Sequence, residues 1–422
     1  MRFLVPSLLA TVSLLGASPA SAATVALTGA TVIDGTGRAP IRDAVVVITD
    51  GMVTAVGPRT SVTPPRGAQR IDLAGKTIMP GIINAHGHVE LDAKSSAPPR
   101  QQLADQLALY ARYGVTTVYS LGDDGVESVK LRNAQRQGGP GGAARLYVSG
   151  PILSGRDAAS ARAAVTAHVA SDVDIIKIRL LGPPEAPFRQ PDVLKAVTDQ
   201  AHADKRMVAA HIFSNDEARR VVDAGAEVIA HSIRDADVDP ALLAEIKRKG
   251  VSYIPTLTRD LSVFVYESTP DFVTDPFFTR EQAYKAPLAP LLVPEAQARV
   301  RASASAQEIK PALAQAKRNL KIMSDAGVPI AMGTDTGAPT GRWQGYFEHV
   351  ELAMMVESGL TPMQALVSAT GGAAKVMRID DKVGTLQPGR YADLLVLGAD
   401  PLADIRNTRR LEQVWIAGRR LD

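Results

Sequence analysis

The chain contains no cysteine among its 422 residues, which excludes disulfides, thiolate metal sites, iron–sulfur clusters and thiol nucleophiles. Any metal ion must therefore be held by histidine, carboxylate or a modified side chain. The net charge is only +3, from 47 basic and 44 acidic residues, and it is too small and evenly spread for a nucleic-acid-binding surface. Aromatic residues are sparse at 5%, but 45% hydrophobic and 22% charged residues are typical of a globular protein with a sizeable core.

Beyond its first residues the chain also lacks any apolar run long enough to span a membrane. Residues 1–22 carry a single Arg2, an apolar stretch over 3–15 and the small residues Ala20, Ser21 and Ala22, a pattern typical of a secretory signal peptide. The apolar stretch is shorter than the roughly 20 residues that a membrane anchor needs. We therefore expect cleavage after Ala22, and a mature protein in the periplasm or outside the cell with no membrane contact.

Two patterns divide the mature chain. Residues 23–78 and 382–422 show short alternating runs separated by turns, which indicate antiparallel strands. Neither end has enough strands to enclose a core alone, so we predict one small β-sandwich domain built from both termini. Between them, over residues 79–381, short apolar runs alternate with helical stretches, which is typical of an α/β fold.

Eight apolar runs in this middle region are candidate strands, and their order favours a (β/α)8 TIM barrel over an open doubly wound sheet. No glycine-rich phosphate-binding fingerprint accompanies them. Residues 260–327 form a long connection, and we expect either a lid or interface element or an elaborated surface helix. The candidate strands are residues 78–86, 115–121, 145–148, 173–178, 207–212, 227–231, 251–255 and 329–333.

Four of the seven histidines close candidate strands: His86 and His88 the first, His211 the fifth and His231 the sixth. In a TIM barrel the carboxyl ends of the strands converge on the active site, so these imidazoles should share one volume. A His-x-His pair on an extended segment places both rings on one face about 7 Å apart, so both can reach one metal ion. The remaining histidines fall in helical stretches and are interpreted as packing or surface residues; they are His168, His202 and His349.

Lys177 and Asp335 fall at the same strand ends. Lys177 lies in an apolar run, where desolvation lowers the pKa of the ammonium and favours the free amine. A free amine can react with carbon dioxide to form a carbamate, which bridges two cations; the alternatives are a lysine at a strand end that reaches solvent or pairs with Asp174. Asp335 can bind metal and accept a proton from water, or can simply cap a turn.

With these residues in place, the chain resembles the amidohydrolase superfamily of metal-dependent hydrolases. The resemblance rests on residues 79–88 (MPGIINAHGH), Lys177, His211, His231, residues 333–335 (GTD) and residues 386–394 (LQPGRYADL). Residues 361–366 (TPMQAL) and 399–404 (ADPLAD) are similar to imidazolonepropionase-like proteins and to related dipeptidases and acyl-amino-acid hydrolases. The resemblance implies that His86, His88 and Asp335 hold the more buried ion, that His211 and His231 hold the more exposed ion, and that carboxylated Lys177 bridges them.

The chemistry expected of such a site is hydrolysis by metal-activated water, with Asp335 as general base and then general acid. We expect two divalent ions, with zinc the first choice among metals that suit these ligands. We favour an amide of an N-acyl amino acid or a dipeptide as substrate. A cyclic amide, a lactone or a carbamate would use the same site, and a mononuclear deaminase is a further alternative.

A binding protein that has lost its metal centre is disfavoured, because all six candidate ligand positions carry a chemically competent residue. We expect a small-molecule substrate and a homo-oligomer. Arginine near the site would bind a substrate carboxylate through two hydrogen bonds. The candidate substrate contacts are Tyr119, Arg179, Arg234, Arg342 and Tyr346.

Overall fold

Both ends of the chain contribute strands to one sheet, and the middle alternates strands with helices. The structure is a computed structural model that describes residues 24–338 and 340–421, so the signal peptide predicted for residues 1–22 lies outside the described residues. In chain order the strands are β1 (Thr24–Val32), β2 (Ile41–Thr49), β3 (Met52–Pro58), β4 (Gln69–Asp72), β5 (Thr77–Pro80), β6 (Ile82–Gly87), β7 (Val115–Ser120), β8 (Arg145–Val148), β9 (Ile176–Arg179), β10 (Val208–His211), β11 (Val228–Ala230), β12 (Ser252–Ile254), β13 (Leu394–Leu397), β14 (Leu411–Ile416) and β15 (Arg419–Arg420).

The α-helices lie mostly between the middle strands. Among the residues described, no helix is both long and apolar enough to cross a membrane. In chain order they are α1 (Pro99–Arg112), α2 (Val126–Gly138), α3 (Ala158–Ala170), α4 (Pro191–Ala203), α5 (Asn215–Ala224), α6 (Pro240–Lys249), α7 (Leu257–Phe264), α8 (Pro276–Thr279), α9 (Lys285–Leu288), α10 (Pro294–Ala302), α11 (Ala304–Asp325), α12 (Tyr346–Glu357), α13 (Pro362–Ser368) and α14 (Gly371–Val376).

The terminal sheet has the strand order β15-β14-β13-β5-β1-β2-β3, with β4 also paired to β1. As predicted, both termini build it, and buried apolar side chains such as Leu27, Val46, Leu394 and Trp415 pack together on it. The strands are all hydrogen-bonded into one sheet, so the two separate layers of the predicted sandwich are not confirmed. The reason is that β1 pairs with β2 on one edge and with β4 and then β5 along the other, which keeps the strands continuous.

The middle of the chain holds two parallel sheets, β6-β7-β8 and β12-β11-β10-β9. Seven of the eight predicted strand positions contain a strand. The predicted first strand, 78–86, is divided at Gly81 into β5, which belongs to the terminal sheet, and β6. Gly81 is required at this division, because a Cβ atom there would lie 2.1 Å from Thr116 Oγ1.

We predicted an eighth strand at residues 329–333, but the structure has no strand there. The segment makes only an isolated bridge between Ile330 and Tyr253. Pro329 has no N–H to donate, which limits a ladder at this point. The segment still joins the two parallel sheets, since Ala331 N donates to Tyr253 O and Ala85 N donates to Met332 O. Within the described residues the assigned strands therefore do not form the closed eight-stranded barrel that we predicted.

The long connection predicted at 260–327 consists of α7 to α11 with short turns between them. Its aromatic residues pack into a buried cluster with residues from the two neighbouring connections. The cluster is centred on Phe278, whose ring contacts those of Tyr284, Trp343 and Tyr346. The connection is thereby fixed against the loop that precedes α12. The members of this aromatic cluster are Tyr113, Phe277, Phe278, Tyr284, Trp343, Tyr346 and Phe347.

We predict that Phe278→Ala lowers the free energy of unfolding by about 3–5 kcal/mol, because it removes a fully buried ring and leaves a cavity. Chemical denaturation measures this change. The matched control in the same connection is Val293→Ala, which trims an exposed side chain and should change stability by less than about 0.5 kcal/mol. A loss below about 1 kcal/mol in Phe278→Ala would show that the aromatic cluster does not anchor the connection.

Candidate metal centre

Six side chains with metal-ligating or proton-transfer chemistry lie within the middle strands or shortly after strand segments. His86 is in β6 and His88 follows it, Lys177 is the second residue of β9, and His211 is the last residue of β10. His231 directly follows β11, and Asp335 lies in the loop after residues 329–333. Because parallel strands end at one edge of a sheet, the topology brings residues that are far apart in sequence into one region.

Asp335 lies at the centre of the first group of contacts. Its Oδ1 atom is 3.2 Å from His86 Nε2 and 2.9 Å from His88 Nε2. Lys177 Nζ is 3.4 Å from His86 Nε2. All four side chains are buried, so their charges interact with little screening by solvent.

His231 extends this group. Its ring centre is 4.6 Å from that of His86 and 4.3 Å from that of His211. His86, His231 and Asp335 each offer one ligand atom, and these atoms all lie within 4.8 Å of one another. The structure therefore brings together all six residues that the sequence singles out.

Burial and mutual contact shift the pKa values in this group. Burial, reinforced by the charge of Lys177, lowers the pKa of His86 to about 3, and burial lowers the pKa of Lys177 to about 7. Burial acts to lower the pKa of His88 as well, but hydrogen bonds to Asp335 and Glu90 outweigh it and raise the value to about 9. Burial acts to raise the pKa of Asp335, yet its hydrogen bonds to both histidines hold it well below the usual range. Lys177 is thus easily deprotonated and Asp335 is ionised.

Two of the six residues have a left-handed backbone, His231 with φ 70° and Asp335 with φ 59°. Thr256, whose side chain contacts His231, is a third case with φ 48°. Each such residue costs about 1–3 kcal/mol and persists only where its surroundings fix it. The bonds that fix these loops come from two buried glutamates on one helix, α12.

Glu348 is the first of these glutamates. Its Oε1 accepts hydrogen bonds from Asn84 Nδ2 at 2.6 Å and from the hydroxyls of Thr334 at 3.0 Å and Thr336 at 2.8 Å. The two threonines flank Asp335, and Asn84 Oδ1 accepts from the His86 backbone N–H. A single carboxylate oxygen therefore fixes the backbone on both sides of the centre.

Glu351 is the second glutamate, one turn further along α12. It accepts from the backbone N–H groups of Leu257 at 2.8 Å and Thr258 at 2.7 Å, and from the Thr258 hydroxyl. This fixes the turn that contains Thr256, whose hydroxyl lies 2.8 Å from His231 Nδ1. The bond at Nδ1 leaves Nε2 of His231 as the atom that can bind a metal.

A profile of the amidohydrolase family matches residues 77–421. The chain belongs to the amidohydrolase family. It is a hydrolase that acts on carbon–nitrogen bonds.

The similarity to individual relatives is distant but extends along most of the chain. Ochratoxinase of Aspergillus niger is 24% identical over 445 residues, covering 90% of this chain and 83% of the relative. Imidazolonepropionase of Streptomyces avermitilis is 25% identical over 394 residues, covering 90% and 87%.

Solved structures are similar to this amidohydrolase over nearly its whole length. A Xaa-Pro dipeptidase with bound methionine in its active site superposes with a TM-score of 0.74 at 22% identity, covering 94% of this chain and 100% of the other. Phenylurea hydrolase B gives a TM-score of 0.74 at 21% identity, covering 94% and 97%. At these identities the likeness indicates the fold alone.

The predicted substrate contacts of the amidohydrolase separate into two groups. Arg342 contacts Asp335 Oδ2 directly, Arg179 Nη2 lies 3.6 Å from Asp123 Oδ2, and the buried Arg234 Nε lies 3.6 Å from Asp260 Oδ2. These arginines follow the same strand ends as the centre.

The two predicted tyrosine contacts are not brought to the centre. The Tyr119 hydroxyl donates to Met377 O and its ring stacks on Tyr147. The Tyr346 hydroxyl donates to Asp275 Oδ2, and its ring belongs to the aromatic cluster. Both hydroxyls therefore bond to partners outside the six residues of the centre.

Several functional candidates were missed by the sequence reading. Glu348 and Glu351 carried a signal, since acidic residues among the apolar residues of a helix indicate buried carboxyl groups with specific partners. Three exposed apolar side chains also follow the strands of the centre within four residues: Leu91 at 45% exposure, Leu181 at 56% and Phe213 at 40%.

The donor set fits divalent metal ions, which members of the amidohydrolase family generally use. Imidazole and carboxylate are ligands that suit zinc and its neighbours, and no thiol is required. Among the residues described, His86 Nδ1 is buried without a hydrogen-bond partner. The residues present are thus chemically competent to hold a metal.

Glu348 should make the free energy of unfolding depend on pH. Its Oε2 has no hydrogen-bond partner in the described part of the chain, and burial raises the pKa of the carboxyl to about 7 from 4.5. Between pH 4.5 and about pH 7 the folded protein binds more protons than the unfolded chain. The contribution of Glu348 to the free energy of unfolding is therefore present at low pH and is lost as the pH rises through 7. We expect the stability of the parent protein relative to Glu348→Gln to fall by about 3 kcal/mol from pH 4.5 to 8.

Urea unfolding in chelator-treated buffer across this pH range measures that difference. Glu348→Gln keeps the shape and one acceptor oxygen but cannot ionise. The control is Glu357→Gln, an exposed position on the same helix. A difference between parent and Glu348→Gln that stays constant from pH 4.5 to 8 would contradict the prediction.

Proposed function

We propose that this amidohydrolase is a binuclear metal-dependent enzyme that hydrolyses an amide bond of an N-acyl amino acid or a dipeptide. The observation that carries the proposal is the cluster in which His86, His231 and Asp335 offer ligand atoms within 4.8 Å of one another. His88, His211 and Lys177 adjoin this cluster and raise the number of donors beyond what one ion requires. We also propose that the two parallel sheets, joined through residues 329–334, are the two parts of a (β/α)8 barrel.

His86, His88 and Asp335 would hold one ion, and His211 and His231 the other, with zinc the first choice. Lys177 would bridge them as a carbamate, formed when its deprotonated amine adds carbon dioxide and releases a proton. When bound, the ions supply a water of lowered pKa and polarise the scissile carbonyl.

The chain's own residues would complete the reaction. Asp335 is ionised, so it can accept a proton from the attacking water and deliver it to the leaving nitrogen. The amide and water together give a carboxylic acid and an amine, with no other reactant. Arg342 contacts Asp335 Oδ2 and orients the carboxylate, while Glu348 fixes its backbone through Thr334 and Thr336.

Apolar side chains at the same edge support a substrate with an apolar group. Leu91, Leu181 and Phe213 follow β6, β9 and β10, the strands that carry His86, Lys177 and His211. Pockets that bind small molecules are lined mostly by apolar side chains around a few polar groups. The names of the relatives, ochratoxinase, imidazolonepropionase and Xaa-Pro dipeptidase, are compatible with amide and dipeptide substrates.

We further propose that the enzyme acts outside the cytoplasm after cleavage behind Ala22. The sequence of residues 1–22 supports this, and mass spectrometry of the secreted protein tests it by locating the mature N-terminus. A mature chain that begins at Ala23 is expected. A cytoplasmic protein that retains Met1 would contradict the proposed location.

The metal content of the purified protein tests the proposed centre. Prepared with bicarbonate and zinc, the parent should contain about two equivalents of metal, and Lys177→Ala should retain one or fewer. Release of amino acid from N-acyl amino acids should fall by about 100-fold or more, the scale of losing a group that stabilises the transition state.

The matched control is Lys195→Ala, an exposed lysine on α4 whose removal should leave metal content and activity unchanged. One equivalent in both the parent and Lys177→Ala would contradict the binuclear centre and favour a mononuclear enzyme. Two equivalents without hydrolysis of any amide tested would contradict the proposed reaction.

A further inference from the structure

A cavity of about 440 Å³ lies between the terminal sheet and the sheet β6-β7-β8, away from the metal centre. Its walls come from the end of α2, the start of β8, the segment before β13 and the turn between β14 and β15. His88 of the centre follows Gly87, which pairs with the same residue of β7 as Val148, the last residue of β8. Arg145 begins β8 three residues earlier, about 10 Å along the strand. The cavity and the centre therefore lie at opposite ends of this sheet.

Basic side chains line this cavity, and among the residues described no acidic side chain does so. Two of the carboxylates that pair with these cations are at most 10% exposed. Arg136 Nη2 is 2.5 Å from Asp174 Oδ1, and Arg145 Nε is 2.9 Å from Asp393 Oδ2. The cavity thus presents the positive ends of these ion pairs to a ligand. We call it the basic cavity, after its four cations Arg132, Arg136, Arg145 and Lys382.

Two of these cations keep donors free for a ligand. Lys382 is 55% exposed, and its Nζ makes no hydrogen bond within the described part of the chain; its chain neighbour Asp381 lies 3.6 Å away. Arg136 is 48% exposed, and the bond from Nη2 to Asp174 is its one side-chain hydrogen bond within residues 24–338 and 340–421. Asp174 is itself shared with Arg132. Exposed ammonium and guanidinium groups of this kind are available to an anion.

Two tyrosine hydroxyls add uncharged donors to the basic cavity. Tyr147 and Tyr391 both line it, and neither hydroxyl has a hydrogen-bond partner among the described residues. Burial raises the pKa of Tyr147 to about 12, so this hydroxyl keeps its proton at neutral pH. Neighbouring groups fix both rings: Tyr147 stacks on Tyr119 with ring centres 4.6 Å apart, and the Arg145 guanidinium carbon is 4.0 Å from the Tyr391 ring centre.

These donors match an organic phosphate. A phosphate monoester carries a charge between about −1.5 and −2 and three oxygens that accept hydrogen bonds. Both ammonium and guanidinium bind phosphate, and four separate donors suit its tetrahedral oxygens better than the two coplanar oxygens of a carboxylate. The cavity volume lies within the range of roughly 300–1,000 Å³ that small-molecule sites occupy, so it has room for more than a phosphate group. Pro140 and Leu146 supply apolar surface for the remainder of the ligand.

We propose that the basic cavity is a second ligand site, which binds an organic phosphate through Arg136, Lys382 and the hydroxyls of Tyr147 and Tyr391. The site is separate from the metal centre and does not depend on the proposed reaction. Its walls belong to both the terminal sheet and β6-β7-β8, so a ligand bound there stabilises the contact between them.

Calorimetry with phenyl phosphate tests this site. The protein is dialysed free of phosphate and chelator, because both are anions that compete for the cavity. The parent should bind one equivalent with a Kd below about 1 mM. Phenyl sulfate has the same shape but a single charge, and it should bind about tenfold more weakly or worse, the scale of a charged hydrogen bond.

Variants assign the binding to the cavity. Lys382→Gln should weaken the binding of phenyl phosphate by about tenfold or more, because it removes a charged donor. Tyr391→Phe removes one hydroxyl and keeps the ring, so it should weaken binding by about threefold to tenfold. The matched control is Lys130→Gln, an exposed lysine on α2 outside the cavity, which should bind as the parent does. Zinc-free and zinc-loaded parent should bind with affinities within about threefold of each other.

The outcomes separate this site from the metal centre. No binding at roughly 10 mM phenyl phosphate, or equal affinity in the parent, Lys382→Gln and Tyr391→Phe, overturns the proposal. Binding that requires zinc also overturns it, because the phosphate then occupies the metal centre. Equal affinity for phenyl sulfate overturns the assignment to a phosphate. Zinc-independent binding that is weakened in Lys382→Gln and Tyr391→Phe supports the site, even if no amide is hydrolysed.

Discussion

Asp335 and His231 occupy backbone conformations that non-glycine residues adopt only under constraint, and the constraint comes from two carboxylates on α12. Glu348 accepts three hydrogen bonds around the Asp335 loop, and Glu351 accepts three from the turn that contacts His231. A buried carboxyl group is costly without hydrogen bonds, so movement of the loops would leave Glu348 and Glu351 without the partners described above. The helix and the centre therefore stabilise one another.

This arrangement explains why the centre depends on parts of the molecule that are remote from it in sequence. The first residues of α12 join the aromatic cluster, which packs the long connection containing α7 to α11 against the loop before α12. The same connection begins with α7, which carries Arg259 and fixes Arg342 through Ser262. Packing in the aromatic cluster thus connects the stability of the long connection to the position of the groups that surround Asp335.

The sequence predicted the six residues of the centre because their chemistry is marked by position: histidines, one lysine and one aspartate at the ends of apolar runs. It did not predict that Tyr119 stacks on Tyr147, because nearness to a strand end does not set the direction of a side chain. The break in strand pairing at residues 329–333 was not predicted, because the segment has the composition of a strand but begins with Pro329, which has no N–H to donate, and forms only one bridge.

The most direct test is a crystal structure of the protein grown with zinc and bicarbonate, with anomalous scattering recorded at the zinc edge. Two anomalous peaks should lie among His86, His88, His211, His231 and Asp335, and density should continue beyond Lys177 Nζ as a carbamate between them. A single peak together with an unmodified Lys177 would contradict the account, because the buried lysine would then have no role in joining two ions.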